Sequence, residues 1–160
     1  MLIGLSGYAQ SGKDATAKIL VDNFGFVRYA FADKLKELAT RLHYWSGIKD
    51  ELGRLHLQYL GDQIRQVLGE DVWINALFND ADQTKDIVIS DVRYTNEIHA
   101  IHNRGGLILR INRPGVDRIN DHISENLPPH SSLYDGYITN NGTLYDLETD
   151  VKKWIRQMLA

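Results

Sequence analysis

The chain has 160 residues, 43% hydrophobic and 24% charged, with 13 Gly, 3 Pro and no Cys. That is the length of one domain, enough to bury about 70% of the surface an unfolded chain exposes, and the composition excludes a disordered, collagen-like or cysteine-stapled protein and a thiol nucleophile. The net charge of −3 speaks against a polynucleotide partner; no apolar run approaches the ~20 residues of a membrane span, and MLIGLSGYAQ lacks the basic start of a signal peptide, so a cytoplasmic location is expected.

In chain order, Leu2–Leu5 is a short apolar run ending in Ser6-Gly7 and predicts a buried strand. Lys13 to Phe24 predicts a helix closed by Gly25. Phe26–Phe31 predicts a second strand. Leu35, Leu38, Ala39 and Leu42, then Leu52, Leu55, Leu57, Leu60, Ile64, Val67 and Leu68, fall at helical spacing and predict two helices over most of 33–69. Val72–Phe78 adds a shorter one. Ile87-Val88-Ile89 is the best interior strand, ending in Ser90-Asp91. Asn96–Asn103 predicts a helix with Asn96 as its cap, and Leu107–Ile111 a further strand. Residues 113–133 hold all 3 prolines without a period and read as a long loop, either functional or a mobile surface segment. Tyr137–Thr139 is a short strand. After the Asn141-Gly142 turn, Thr143 caps a last helix, with Asp146 closing a variant of the capping box.

Strands alternating with helices imply βαβ units and an α/β fold: a mostly parallel sheet of about five strands with helices on both faces. Ligands in such sheets bind at the carboxyl ends of the strands. Gly7-Tyr8-Ala9-Gln10-Ser11-Gly12-Lys13-Asp14 stands at that place and matches G-x-x-x-x-G-K, the phosphate loop, in all but its last position. Backbone N–H groups of such a loop cradle phosphate oxygens, the following helix presents its positive end, and the Lys13 ammonium reaches the β- and γ-phosphates. The competing reading is a glycine-rich turn with a solvated lysine. Asp14 replaces the usual Ser or Thr; it either ligates Mg²⁺ through water or only complements the helix N-terminus. Asp91, ending an apolar strand, has the position of the second carboxylate near the magnesium of such loops. Arg93 follows where a cation can contact phosphate.

On these stretches the sequence resembles the phage deoxynucleoside monophosphate kinases, a branch of the P-loop nucleotide kinases. Besides the loop, the matching segments are Phe31–Lys36 (FADKLK), Leu60–Arg65 (LGDQIR), Leu68–Trp73 (LGEDVW), Ile89–Glu97 with its particular DVRYTNE, Arg110–Gly115 (RINRPG), His122–Glu125 (HISE) and Asp135–Leu147. The likeness runs nearly end to end. It implies a three-layer P-loop fold, transfer of the ATP γ-phosphate to a deoxynucleoside monophosphate, Mg²⁺ as cofactor and a homodimer as a plausible assembly. Ala15 stands in place of the family's usual Thr, which bears on one hydroxyl contact to ATP. Lys34 stands in place of Pro, which bears on the start of a helix.

Phosphoryl transfer is mostly positioning and charge neutralisation, so cations are needed on both sides of the moving group. The donor side falls to Gly7, Gln10, Ser11, Gly12, Lys13, Asp14 and Ala15, with Asp14 and Asp91 for Mg²⁺. The acceptor side is expected in a helical region of about 33–80. Lys36 and Arg65 are its cations, each also readable as a surface charge. Asp33, expected at the end of the second strand, takes a positioning role: related dephospho-coenzyme A kinases would make it a base, but a monophosphate oxygen is already ionised at neutral pH. Trp73 either stacks on a nucleobase or packs in the core. Asn96 and Glu97 are further acceptor-side candidates, readable also as helix-cap residues. Loop 113–133 would act as a lid delivering Arg118 to the transferring phosphoryl; it also holds His122, Ser124 and Glu125. The rival readings are a same-fold kinase acting on dephospho-coenzyme A or phosphomevalonate, and a P-loop nucleotide-binding regulator.

Overall fold

The computed structural model describes residues 1–48, 50–117, 127 and 131–159. The chain runs β1 (Leu2–Ser6), α1 (Lys13–Phe24), β2 (Val27–Tyr29), α2 (Ala32–Arg41), α3 (Glu51–Leu68), α4 (Val72–Asp80), β3 (Ile87–Val92), α5 (Thr95–His102), β4 (Leu107–Asn112), β5 (Gly136–Thr139) and α6 (Leu144–Leu159). Among the described residues five strands form one sheet in the order β2-β3-β1-β4-β5. β1 is parallel to both of its neighbours, and β4 is parallel to β5.

The chain divides into two compact units, Met1–Arg28 with Gln83–Ala160, and Tyr29–Asp82. In the first, alternation along β1 separates two layers of helix. Ile3 and Leu5 are fully buried with Ala17 and Leu20 of α1 and Val151 and Ile155 of α6. Gly4 points to the opposite face, where a Cβ would stand 2.7 Å from both Ile101 Cδ1 and Ile108 Cδ1. α5 therefore packs directly on the β1 backbone, and the sheet is covered on both faces. This is the three-layer α/β arrangement expected from the sequence, and it explains the apolar runs Leu2–Leu5, Ile87–Ile89 and Leu107–Leu109 in β1, β3 and β4.

The second unit holds α2, α3 and α4. Gly61 of α3 is its contact point: a Cβ there would lie 2.9 Å from Leu35 Cδ2 of α2, and its carbonyl accepts from Trp73 Nε1 of α4 at 3.4 Å. Leu52, Leu55, Val67 and Leu68 keep their helical spacing but lie exposed.

The punctuation follows local chemistry. α1 stops at Gly25, whose φ of 72° is the left-handed cap that its missing side chain permits. At the start of α6 the Asp146 carboxylate accepts from the Thr143 backbone N–H (2.8 Å) and hydroxyl (2.7 Å). Those hydrogen bonds favour the charged form and hold the carboxyl below its ordinary value. A depressed folded-state pKa stabilises the fold above the unfolded value and loses that contribution as pH falls through the folded one. Asp146→Asn should therefore melt below the wild type at pH 7, and the gap should close as pH drops below the ordinary carboxylate range, about 4. A gap of equal size at pH 3 would exclude this cap as its source.

Three expected boundaries are corrected. The second strand is only Val27–Tyr29, because Phe31 already has helical angles (φ −60°, ψ −35°) and caps α2. Asp33 consequently sits in the first turn of α2, not at a strand end. α5 begins at Thr95 with Tyr94 as its cap, so Asn96 lies inside the helix. Among the described residues, no helix is long and apolar enough to cross a membrane.

Candidate active site

The phosphate loop follows β1 and is shaped from both of its ends. Gly7 tolerates no side chain, since a Cβ would fall 2.5 Å from the Ile111 carbonyl oxygen of β4. Gly12 has φ +111°, a conformation L side chains rarely adopt, and a Cβ there would meet the Asn140 amide at 2.5 Å. Inside the loop Ser11 N–H donates to the Tyr8 carbonyl at 3.1 Å. Asn140 Nδ2 donates to the Ser11 carbonyl at 2.9 Å. The Ser11 hydroxyl is buried without a hydrogen-bond partner among the described residues. Lys13 is 8% exposed, and its Nζ donates to the carbonyls of Gly7 (2.7 Å) and Tyr8 (2.8 Å). The ammonium is thus folded back along the loop it would leave to meet phosphate. Asp14 and Gln10 are exposed, and Ala15 is half-buried.

β3 brings the second cluster. Its register against β1 slips by one residue, from Gly4↔Ile89 to Ser6↔Val92. Such a bulge re-aims side chains and is common beside functional sites. Asp91, half-buried, lies in that slip. Arg93 and Tyr94 follow, and their backbone N–H groups both donate to Glu97 Oε2, at 2.7 and 3.0 Å. Glu97 is 3% exposed, so it shapes the turn that carries Arg93. Among the described residues no three metal-ligating side chains converge. Mg²⁺ takes one or two carboxylates together with substrate phosphates and water, and Asp14 at the start of α1 and Asp91 near the end of β3 are carboxylates of that kind.

Sequence reasoning passed over Arg110 as a strand residue. Its side chain is 1% exposed and lines an open recess with Ser6, Gly7, Tyr8, Val92, Arg93 and Leu127. Its Nη1 donates to Ser6 Oγ at 3.0 Å and its Nε to Asn112 Oδ1 at 3.1 Å. The rings of Tyr8 and Tyr134 stack on it, 4.8 and 5.5 Å from the guanidinium carbon. Burial pushes the Tyr134 phenol up, opposed by the Arg110 charge and a hydrogen bond with Ser6. The ring stays neutral at physiological pH. A cation inside the apolar run LILRIN was the signal available in the sequence. Asn140 was missed too, because it reads as part of the following turn.

On the second unit, Asp33 and Lys36 lie one turn apart on α2 with 3.6 Å between their charged atoms. Lys34 pairs with Asp80 at 2.7 Å and with Glu37 at 3.1 Å; both hydrogen bonds raise its pKa. Arg65 is half-buried in the last turn of α3. Trp73 is buried, and its Nε1 donates to the Gly61 carbonyl at 3.4 Å. Arg118, His122, Ser124 and Glu125 lie outside the described residues, as does most of the loop expected to close as a lid.

Comparison with known proteins adds three findings. Residues 51–151 match the profile of the family described as deoxynucleotide monophosphate kinase. A protein of Acanthamoeba polyphaga mimivirus, provisionally assigned as a deoxynucleotide monophosphate kinase, is 30% identical over 182 aligned positions, covering 94% of each chain. Among solved structures, shikimate kinase of Acinetobacter baumannii in complex with shikimate aligns with a TM-score of 0.58 and 15% identity, over 98% of this chain and 93% of that one. Shikimate kinase of Aquifex aeolicus gives 0.55 and 13%, over 99% and 98%. At such identities the likeness concerns the fold, that of P-loop kinases.

Proposed function

Because the chain belongs to the deoxynucleotide monophosphate kinase family, and is thereby an ATP-dependent nucleotide kinase, we propose that it transfers the ATP γ-phosphoryl to a deoxynucleoside monophosphate, giving the diphosphate and ADP. The observation that carries this reading is the phosphate loop ending β1, with Asp91 and Arg93 at the end of the neighbouring strand, in a chain of this family.

An ionised oxygen of the acceptor phosphate attacks Pγ, the bond from Pγ to the bridging oxygen breaks, and ADP leaves with the electron pair. No base is required, since phosphate monoesters lose their second proton near about pH 6. Loop amides hold the donor phosphates at the N-terminus of α1. Lys13 turns from the Gly7 and Tyr8 carbonyls to the β- and γ-phosphates. Mg²⁺, when bound, neutralises charge on the donor, and Asp91 and Asp14 are the carboxylates that would hold it. Arg93, and Arg118 from the loop, meet charge on the moving phosphoryl. Asp33, Lys36, Arg65 and Asn96 are the acceptor-side candidates.

The test is ADP formation from ATP and Mg²⁺ with dAMP, dCMP, dGMP and dTMP, their ribonucleotides, dephospho-coenzyme A and phosphomevalonate, against a control without acceptor. Fast turnover with one or more deoxynucleotides is expected. Turnover confined to a non-nucleotide acceptor, or none above the control, would overturn the reading.

A further inference from the structure

Arg110 has an unmet requirement. It is fully enclosed, two of its nitrogens are matched, and Nη2 is buried with no hydrogen-bond partner among the described residues. A charged donor shut away unmatched opposes folding. Such groups in native proteins call for an explanation, which functional sites commonly supply. Nothing else about this residue is loose. Two tyrosine rings fix the plane of the guanidinium, and Ser6 and Asn112 fix its rotation. It is therefore pre-organised toward the recess it shares with Ser6, Gly7, Tyr8, Val92 and Arg93.

The recess collects a second arginine, a hydroxyl and the first two residues of the phosphate loop, and among the described residues its lining holds no acidic one. A buried guanidinium with a second arginine beside the same opening suits a doubly charged tetrahedral anion. The donor's phosphates belong to the N-terminus of α1, at the other end of the loop. We infer that Arg110, together with Arg93, seats the phosphate group of the acceptor monophosphate. The inference rests on the kinase reading above and names a residue that reading does not use. One of the rings stacked on Arg110 is Tyr8 of the loop itself, so the proposed seat and the donor loop share a residue.

The experiment compares wild type, Arg110→Lys and Arg110→Gln by calorimetric titration with the best-accepted deoxynucleoside monophosphate and with its deoxynucleoside, which lacks the phosphate. Losing a charge-assisted hydrogen bond to phosphate should weaken monophosphate binding about 10–100-fold in Arg110→Gln, with a smaller loss in Arg110→Lys. Deoxynucleoside binding and the KM for ATP should stay within about threefold of wild type. Equal losses for both ligands would make Arg110 structural, and a loss confined to ATP would place it on the donor side; either overturns the seat. Should Arg110→Gln not fold, the wild-type Arg110 Nε–H resonance decides: it should shift with the monophosphate and not with the deoxynucleoside, and an unmoved signal overturns the inference. Should wild type bind no deoxynucleotide, the substrate reading fails by itself. Orthophosphate titration then tests the seat: binding weakened by Arg110→Gln supports it, and equal or absent binding refutes it.

Discussion

Lys13→Met is expected to lower kcat by about 10²–10³-fold, the scale on which removing one electrostatic donor from a reacting centre is felt. Charge on the bridging and γ-oxygens grows in the transition state, so kcat should fall further than the KM for ATP rises. The lysine has a second duty without ligand, because its Nζ is the donor to the Gly7 and Tyr8 carbonyls. Their loss should cost the fold about 1–3 kcal/mol, visible as a lower melting temperature. Lys13→Arg separates the two duties. It keeps the charge but replaces a compact ammonium by a wide planar fork, so activity should stay at least about tenfold down. Steady-state kinetics with a melting curve checks both variants, and an unchanged kcat in Lys13→Met would remove the lysine from the chemistry.

A second large effect is expected at Asp91→Asn, a change of one charge at nearly constant shape. kcat at ordinary Mg²⁺ should drop by about 10²-fold, and the Mg²⁺ concentration for half-maximal rate should rise. The melting temperature should barely move, since Asp91 is half-buried at a strand end outside the apolar core. A Mg²⁺ titration at saturating ATP and acceptor is the measurement. A loss of rate with an unaltered Mg²⁺ requirement would assign Asp91 a role other than holding the metal.

The residues that announced this site did so through backbone requirements. Gly7 and Gly12 are needed where no side chain fits or where φ is positive, and Lys13 follows at the helix start; each is a local constraint that a sequence displays. The strands beneath the loop were legible for a similar reason, because burial on both faces makes Leu2–Leu5 of β1 and Ile87–Ile89 of β3 apolar runs. Residues whose role comes from distant partners were not legible. Arg110 looks like an anomaly in a strand until Ser6 and the two tyrosines surround it. Asn140 looks like a turn residue until its amide meets Ser11, and Glu97 looks like a surface acid until two backbone N–H groups bury it. The register slip in β3 leaves no mark in composition, because it depends on what β1 does beside it. Periodicity placed the helices of the second unit but not their exposed stripe, since spacing states that a face exists and not what covers it.

The hydrogen bond from Asn140 to Ser11 spans 129 positions of the chain, and that separation has a consequence for synthesis. The loop is made well before the residue that ties its middle. At the usual pace of about 5–20 residues per second, roughly 6–26 s pass between them. During that interval the nascent chain carries every residue of the nucleotide-binding loop without the strap that gives it shape. Affinity for ATP should then arrive abruptly and late, once β5 has docked on β4, and a ribosome stalled before Asn140 should hold a chain that cannot yet bind nucleotide.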